Sequence, residues 1–390
     1  MSDTFSETTQ VGWFSRIGGA IKGLVFGIIL FGISFPALFW NEGRAVAREK
    51  ALDEGIASVI SVDAAQIDSQ NGGRLVHVAG RAETSDVLAD PDFGVSISGL
   101  RLLRSVEMYQ WDEKEKTETR QKLGGGEERV TTYSYEKKWS SDRIKSGEFR
   151  QPEDHVNPEQ MPFSERTVQA ETVTLGAFRL NASQIARAGS PRELPADAQI
   201  LAPEAYAERS HRQNNVLYLG TDPATPVIGD TRVTFRLVPP GDVSLVAEQT
   251  GNTFTSFTTP SGGDIDLLEE GILPAARMFE IAKQENTVLT WILRAVGFFL
   301  MFFGLSLLFR PLSVLADVVP LFGRIVGAGT GIIAFLLALA GSLTTIAIAW
   351  IYYRPLIGIP LLIVAVGALM YSFLSIKRAP PAMKRTAAVT

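Results

Sequence analysis

The chain has 390 residues, with 37 Lys and Arg against 42 Asp and Glu, three His and no Cys. A formal charge of -5 offers no basic field for nucleic acid, and the lack of Cys excludes disulfides, thiol catalysis and thiolate metal sites. The hydrophobic fraction of 46% is ordinary as an average but is concentrated in four stretches.

Residues 1–16 are polar and are expected as a short cytoplasmic tail. Residues 17–40 are apolar except for Lys22, and Trp40 stands at the end where interfacial aromatics belong. The stretch exceeds the ~20 residues that cross a ~30 Å hydrocarbon core. Ala45-Val46-Ala47 would suit a signal peptidase, but the apolar run is longer than an h-region, so a retained helix is expected. Helix-forming residues continue to Gly55, carrying Glu42 and Arg44, which could pair with the base of a domain or with headgroups.

From 41 to 288 the pattern changes to short alternating runs, read as strands at 74–80, 100–113, 129–139, 215–220, 231–238 and 242–249. The glycines of LGGGEE make the middle pair a long hairpin. Sparse helices are expected near 182–188 and 203–210, and from Pro274 into the second apolar stretch. Apolar helices follow at 289–309, 325–353 and 355–376, with a loop at 310–324 lying along the interface and a basic tail at 377–390. The fold class expected is an α+β membrane protein, with four transmembrane helices and a large β-rich domain inserted between helices one and two. Arg310, Arg324 and the tail's Lys and Arg residues place the loop and both termini in the cytoplasm, and the 41–288 domain opposite. Arg294 and Arg354 are expected to snorkel to the interfaces, as anchors beside Trp40, Glu42 and Arg44.

Chemistry is thinly supported. No metal-binding spacing joins His77, His155 and His211, and there is no phosphate loop or nucleophile elbow. Asp90 and Asp92 flank Pro91 and suit a turn, with acid–base work by them, Glu107 or His77 as the alternative. Tyr109, Trp111, Tyr133, Tyr135 and Trp139 share the hairpin, as cross-strand pairs or as an interaction surface. Gly19, Gly23 and Gly27, and Gly323, Gly327 and Gly331, form stripes for close helix approach, within one bundle or between copies. Ser342 is expected to bond within the third apolar helix or to a neighbour.

Seven runs resemble the LUMA family, also called transmembrane protein forty-three: NEGRA (41–45), GRLVH (73–77), DPDFGV (90–95), VEMYQW (106–111), YSYEKKW (133–139), GDTRVTF (229–235) and YRPL (353–356). They follow the family's order across nearly the whole chain. The resemblance implies four membrane helices, a lumenal or periplasmic domain, and a role in organising membranes and protein complexes, with self-association. It brings no catalytic residue and no cofactor. In eukaryotes it implies partners such as emerin and lamins, which do not carry over to a bacterial inner-membrane protein, the source favoured here. The expected function is a non-catalytic scaffold with lipid, itself and unidentified proteins as partners. An envelope or lipid sensor is the alternative, ahead of an enzyme at the outer face or a channel built on Arg294.

Overall fold

A computed structural model describes residues 4–360 and 362–363. The expected basic tail and most of the fourth apolar helix lie outside the described residues; 355–360 and 362–363 are helical. Of the rest, one compact unit holds 4–16, 48–286 and 318–320, and a second holds 17–47, 287–317 and the residues from 321.

In the first unit, β1 (Thr4–Val11) precedes α1 (Trp13–Ser58), whose last part belongs here. Then come β2 (Ile60–Ser61), β3 (Leu75–Glu83), β4 (Val87–Asp90), β5 (Val95–Ser98), β6 (Arg101–Gln121) and β7 (Glu127–Ser140). Short strands follow: β8 (Arg166–Gln169), β9 (Thr174–Leu175) and β10 (Phe178–Arg179). The helix α2 (Ala182–Arg187) starts on a capping box formed by Asn181 and Gln184. After it come β11 (Arg192–Glu193), β12 (Ser210–Gln213), β13 (Val216–Leu219), β14 (Thr231–Val238), β15 (Gly241–Thr250) and β16 (Thr253–Thr255). The last strands are β17 (Phe257–Thr258), β18 (Asp264–Ile265) and β19 (Leu267–Glu270).

Two sheets dominate. One has the order β1-β7-β6-β14-β13-β12, with β11 on β14 and β8 on β6. The other runs β19-β15-β16-β10-β9-β3-β2, and because β15 also pairs with β3, five of its strands close a ring. Period-two alternation sends Val106, Val233, Phe235 and Leu217 into a core shared with Val78, Leu245, Phe178 and Phe254. A second cluster packs Leu52 from α1 and Met278 and Phe279 from α3 (Ala275–Ala316) against Leu75, Val246 and Ile265.

Two segments differ from expectation. Residues 4–11 are no free tail but the edge strand of the first sheet, in register with Glu127–Ser134. Alternation over so short a polar run (TFSETTQV) carries no burial signal, and its partner is far away in sequence. The expected loop 310–324 is largely helical: α3 runs to Ala316 through Pro311, and α4 (Pro320–Tyr353) begins four residues later. The apolar and small residues of 312–316 sustain the helix past the proline.

At the hairpin tip Gly124 and Gly125 adopt φ of 88° and 80°, the left-handed region that favours glycine. A Cβ on Gly125 would also run into the Trp13 indole.

On β19, Glu270 accepts hydrogen bonds from Ser190 Oγ (2.7 Å) and an Arg192 Nη (2.9 Å). These bonds, Ser190's first, hold its carboxyl below the usual carboxylate range. A depressed folded-state value adds stability above the ordinary pKa, about 4.3, and that stability is lost as pH falls through the folded value. Glu270→Gln should therefore melt below the parent at pH 7, and the gap should close under increasingly acid conditions. Scanning fluorimetry of the detergent-solubilised protein across pH checks this.

Candidate functional site

The second unit consists of apolar helices. Among the described residues, three helical stretches, Trp13–Ser58, Ala275–Ala316 and Ile325–Tyr353, are long and apolar enough to cross a membrane. Leu38, Met301, Leu305, Ala334 and Ala338 bury one another between them. Ile28, Ile29, Phe299, Ile332 and Leu343 point outward, about half exposed, as lipid-facing residues do.

Within this apolar surrounding, among the described residues, lies a charged cluster. Glu42 is 2% exposed. Arg294 Nε donates to its Oε1 at 2.6 Å and Nη2 to its Oε2 at 2.8 Å, a bidentate fork. Trp350 Nε1 donates to the same Oε2 at 2.8 Å. The guanidinium lies over Trp291 at 4.7 Å and near Trp350 at 5.7 Å. Beside Glu42 on α1, Arg44 Nη2 donates to Asn41 Oδ1 (3.3 Å) and Thr290 Oγ1 (3.0 Å), while Asn41 Nδ2 donates to the Thr290 carbonyl (3.1 Å). Arg294 thus turns inward to a carboxylate rather than snorkelling, and Glu42 pairs within the helices rather than with a domain base. A buried charge is tolerable only when paired and hydrogen-bonded, as the Glu42 carboxylate is here by Arg294 and Trp350. Trp350, Thr290 and Asn41 were absent from the sequence-based site. The signal available was two opposite charges, each in an apolar run. Trp40 is 62% exposed, as an interfacial residue should be, and Arg354 is half-buried, its backbone N–H bonded to the Trp350 carbonyl at 2.8 Å.

The glycine stripes divide. Gly27 meets Gly304: a Cβ on Gly27 would lie 2.8 Å from the Gly304 carbonyl, and Gly23 faces Leu307. Gly304, outside both stripes, is the missed half of this contact. Gly323 is backed by Asp317 and Gly327 stands near Ser313, whereas Gly19 and Gly331 have open space. Ser342 is buried and donates to the Leu339 carbonyl at 3.1 Å.

In the β-rich unit each candidate for chemistry is engaged in structure. Asp90 caps the turn at Pro91–Phe93 through the Asp92 amide. Arg104, inside β6, reaches both Asp90 oxygens at 2.9 Å and Asp92 at 2.7 Å. Glu107 accepts from Arg232 Nε at 2.6 Å. His77 lies between the Leu273 carbonyl (2.9 Å) and Ser61 Oγ (3.1 Å), and His211 donates to the Thr221 carbonyl at 2.8 Å.

The aromatic set falls on one face of the hairpin, with Tyr109 opposite Trp139, their rings 5.2 Å apart. His155, fully buried, stacks on Tyr135 at 3.7 Å and meets Trp111 edge-on at 4.8 Å. Tyr133 faces Phe5 of β1. None of the five aromatics is exposed. The segment carrying Ile144, Ser146, His155 and Asn157 covers the root of the hairpin, where Tyr135 is buried and the other four rings are half-buried.

A β-rich unit carried by long apolar helices, themselves tied by a buried ion pair, defines a membrane protein of α+β construction. The profile of the transmembrane protein 43 family matches residues 108–355, and the chain belongs to that family. It is 34% identical over 362 residues to transmembrane protein 43 of Rattus norvegicus, covering 89% of this chain and 88% of the relative. The Homo sapiens protein is likewise 34% identical, over 365 residues, covering 90% and 89%. A Drosophila melanogaster homolog is 31% identical over 350 residues, covering 87% and 91%. No solved structure matches the chain.

Removing one partner of the buried pair strands the other. Glu42→Leu or Arg294→Leu should each cost about 3–5 kcal/mol, whereas the double replacement should cost less than the two added together. A double-mutant cycle by denaturant unfolding in detergent checks this.

Proposed function

We propose that the protein is a non-catalytic membrane scaffold of a bacterial inner membrane, whose helices associate with further copies and whose β-rich unit receives partner proteins. The observation that carries this reading is how the charged groups are used. The Glu42–Arg294 fork, the Asp90–Arg104 pair and the Glu107–Arg232 pair all fix structure, so the acids best suited to chemistry are committed to holding the fold. The small-residue faces support the self-association part. Gly23 and Gly27 are used within the chain, while Gly18, Gly19, Gly329 and Gly331 have nothing within 4 Å of an added Cβ. In lipid, such bare stripes let helix backbones of neighbouring copies approach closely.

The intact protein in mild detergent, examined by native mass spectrometry, should give a defined homo-oligomer with bound lipid. Gly331→Leu should reduce it to monomer with melting unchanged, whereas Gly27→Leu should lower the melting temperature by crowding Gly304. A lipid-free monomer in the parent protein would count against the scaffold.

A further inference from the structure

We infer that the outer face of the first sheet holds a binding groove for a phosphate ester that carries hydroxyl groups, such as a polyol or sugar phosphate. The inference goes beyond the scaffold reading and stands without it.

The groove follows from the strand order. β6 takes one edge of β14 along its whole length, so β13 and β11 lie end to end on the other, with Val216 opposite Thr234 and Glu193 opposite Arg236. Beside their junction Asn215 is tied down, its Nδ2 donating to the Phe235 carbonyl at 3.1 Å. A groove of about 560 Å³ runs over this junction, and Arg192, Arg232, Arg236, Glu107, Glu193 and Thr234 are among its lining residues. That volume suits a small molecule. Alternation puts Arg232, Thr234 and Arg236 on the outer face, because Val233, Phe235 and Leu237 are buried in the core. The two arginines are thus about 13 Å apart along the strand, with Thr234 between them.

Arg232 is held ready. Glu107, directly opposite on β6, accepts from its Nε at 2.6 Å, and the guanidinium lies over the Trp139 ring at 4.6 Å. Its Nη groups make no hydrogen bond among the described residues. Fixing a long side chain before a ligand arrives removes much of the rotamer entropy that binding otherwise costs. Glu107, Trp139 and Arg232 come from three of the seven runs described above, VEMYQW, YSYEKKW and GDTRVTF, so distant segments meet at one guanidinium. Arg236 is exposed, and neither it nor the Thr234 hydroxyl has a side-chain partner among the described residues. Arg192 gives one Nη to Glu270.

These donors set the chemistry of the occupant. Guanidinium groups from two strands and a hydroxyl offer hydrogen bonds from several directions, which suits the three terminal oxygens of a phosphate better than a planar carboxylate. The acids add a second requirement. Glu193 is exposed in the same lining, and Glu107 keeps an oxygen that Arg232 does not use. Carboxylates only accept, so they repel a bare anion and match one whose hydroxyls can donate.

Isothermal titration of the full chain in mild detergent tests this with glycerol 1-phosphate, beside glycerate and inorganic phosphate. Glycerol 1-phosphate should bind with a Kd below about 1 mM, roughly ten-fold tighter than either comparison. Arg236→Gln should weaken it about ten-fold while melting with the parent. Arg232→Lys, which keeps the charge and loses the planar fork, should weaken it likewise. Arg212→Gln, on β12 outside the groove, should bind as the parent does. Native mass spectrometry of co-purified lipid then separates two sources of the same chemistry. Phosphatidylglycerol lost from Arg236→Gln marks a lipid headgroup, and equal lipid in both proteins marks a free phosphate ester; either supports the groove. No binding by the parent, equal affinity for either comparison, or binding that Arg236→Gln leaves unchanged overturns the inference.

Discussion

The apolar unit depends on a single bidentate pair, Glu42 with Arg294, completed by the indole N–H of Trp350. Its three members come from α1, α3 and α4, so one carboxylate fixes the axial position of three helices. A slip of one residue moves a helical side chain by 1.5 Å and turns it by about 100°, and no such slip preserves a two-pronged bond. Apolar packing alone would be far more forgiving, because one Leu or Phe substitutes readily for another against a mixed surface. The close approach of Gly27 to Gly304 occurs in the same register.

In the β-rich unit the same device appears in another setting. Arg104 points into the interior from a strand whose neighbours Leu102, Val106 and Met108 are apolar, and it is neutralised there by Asp90, itself held in a helical turn by Pro91 and Gly94. A DPDF run that could have served acid–base chemistry is instead a clasp that fixes the turn after β4 to the long strand. The hairpin root is secured by bonds from Asn157 to both backbone groups of Trp111. Charged and polar residues therefore do most of the specifying in this protein, and apolar ones most of the filling.

How much of this was legible depends on the length scale of the signal. The strands at 231–238 and 241–250, the glycine-turned hairpin, the helix at 182–187 and the helix from 275 as far as 309 follow from local alternation, capping and apolar runs. The seven family runs established membership, which the close relatives uphold. Pairings between distant segments were invisible. Nothing in TFSETTQV indicates β7, because an eight-residue polar strand at a sheet edge has no buried face to mark it. Glu42 and Arg294 were each noticed, but as separate interfacial charges, since sequence spacing cannot show that two helices bring them together. The exposed Gly19 and the packed Gly27 belong to one four-residue stripe, and only geometry tells them apart.

The closed ring of the second sheet has a consequence in time. Its decisive pairing joins β3 to β15, with Leu75 opposite Glu248 and His77 opposite Val246. At about 5–20 residues per second, synthesis of the intervening chain takes on the order of ten seconds. Throughout that interval α1 is already made while β3 has an open edge and no ring to join. Closure of so long a loop must also meet its entropy before the ladder forms, which makes the step slow as well as late. The newborn protein thus passes through a stage in which its membrane segment is committed and its β-rich unit is still exposed to mispairing.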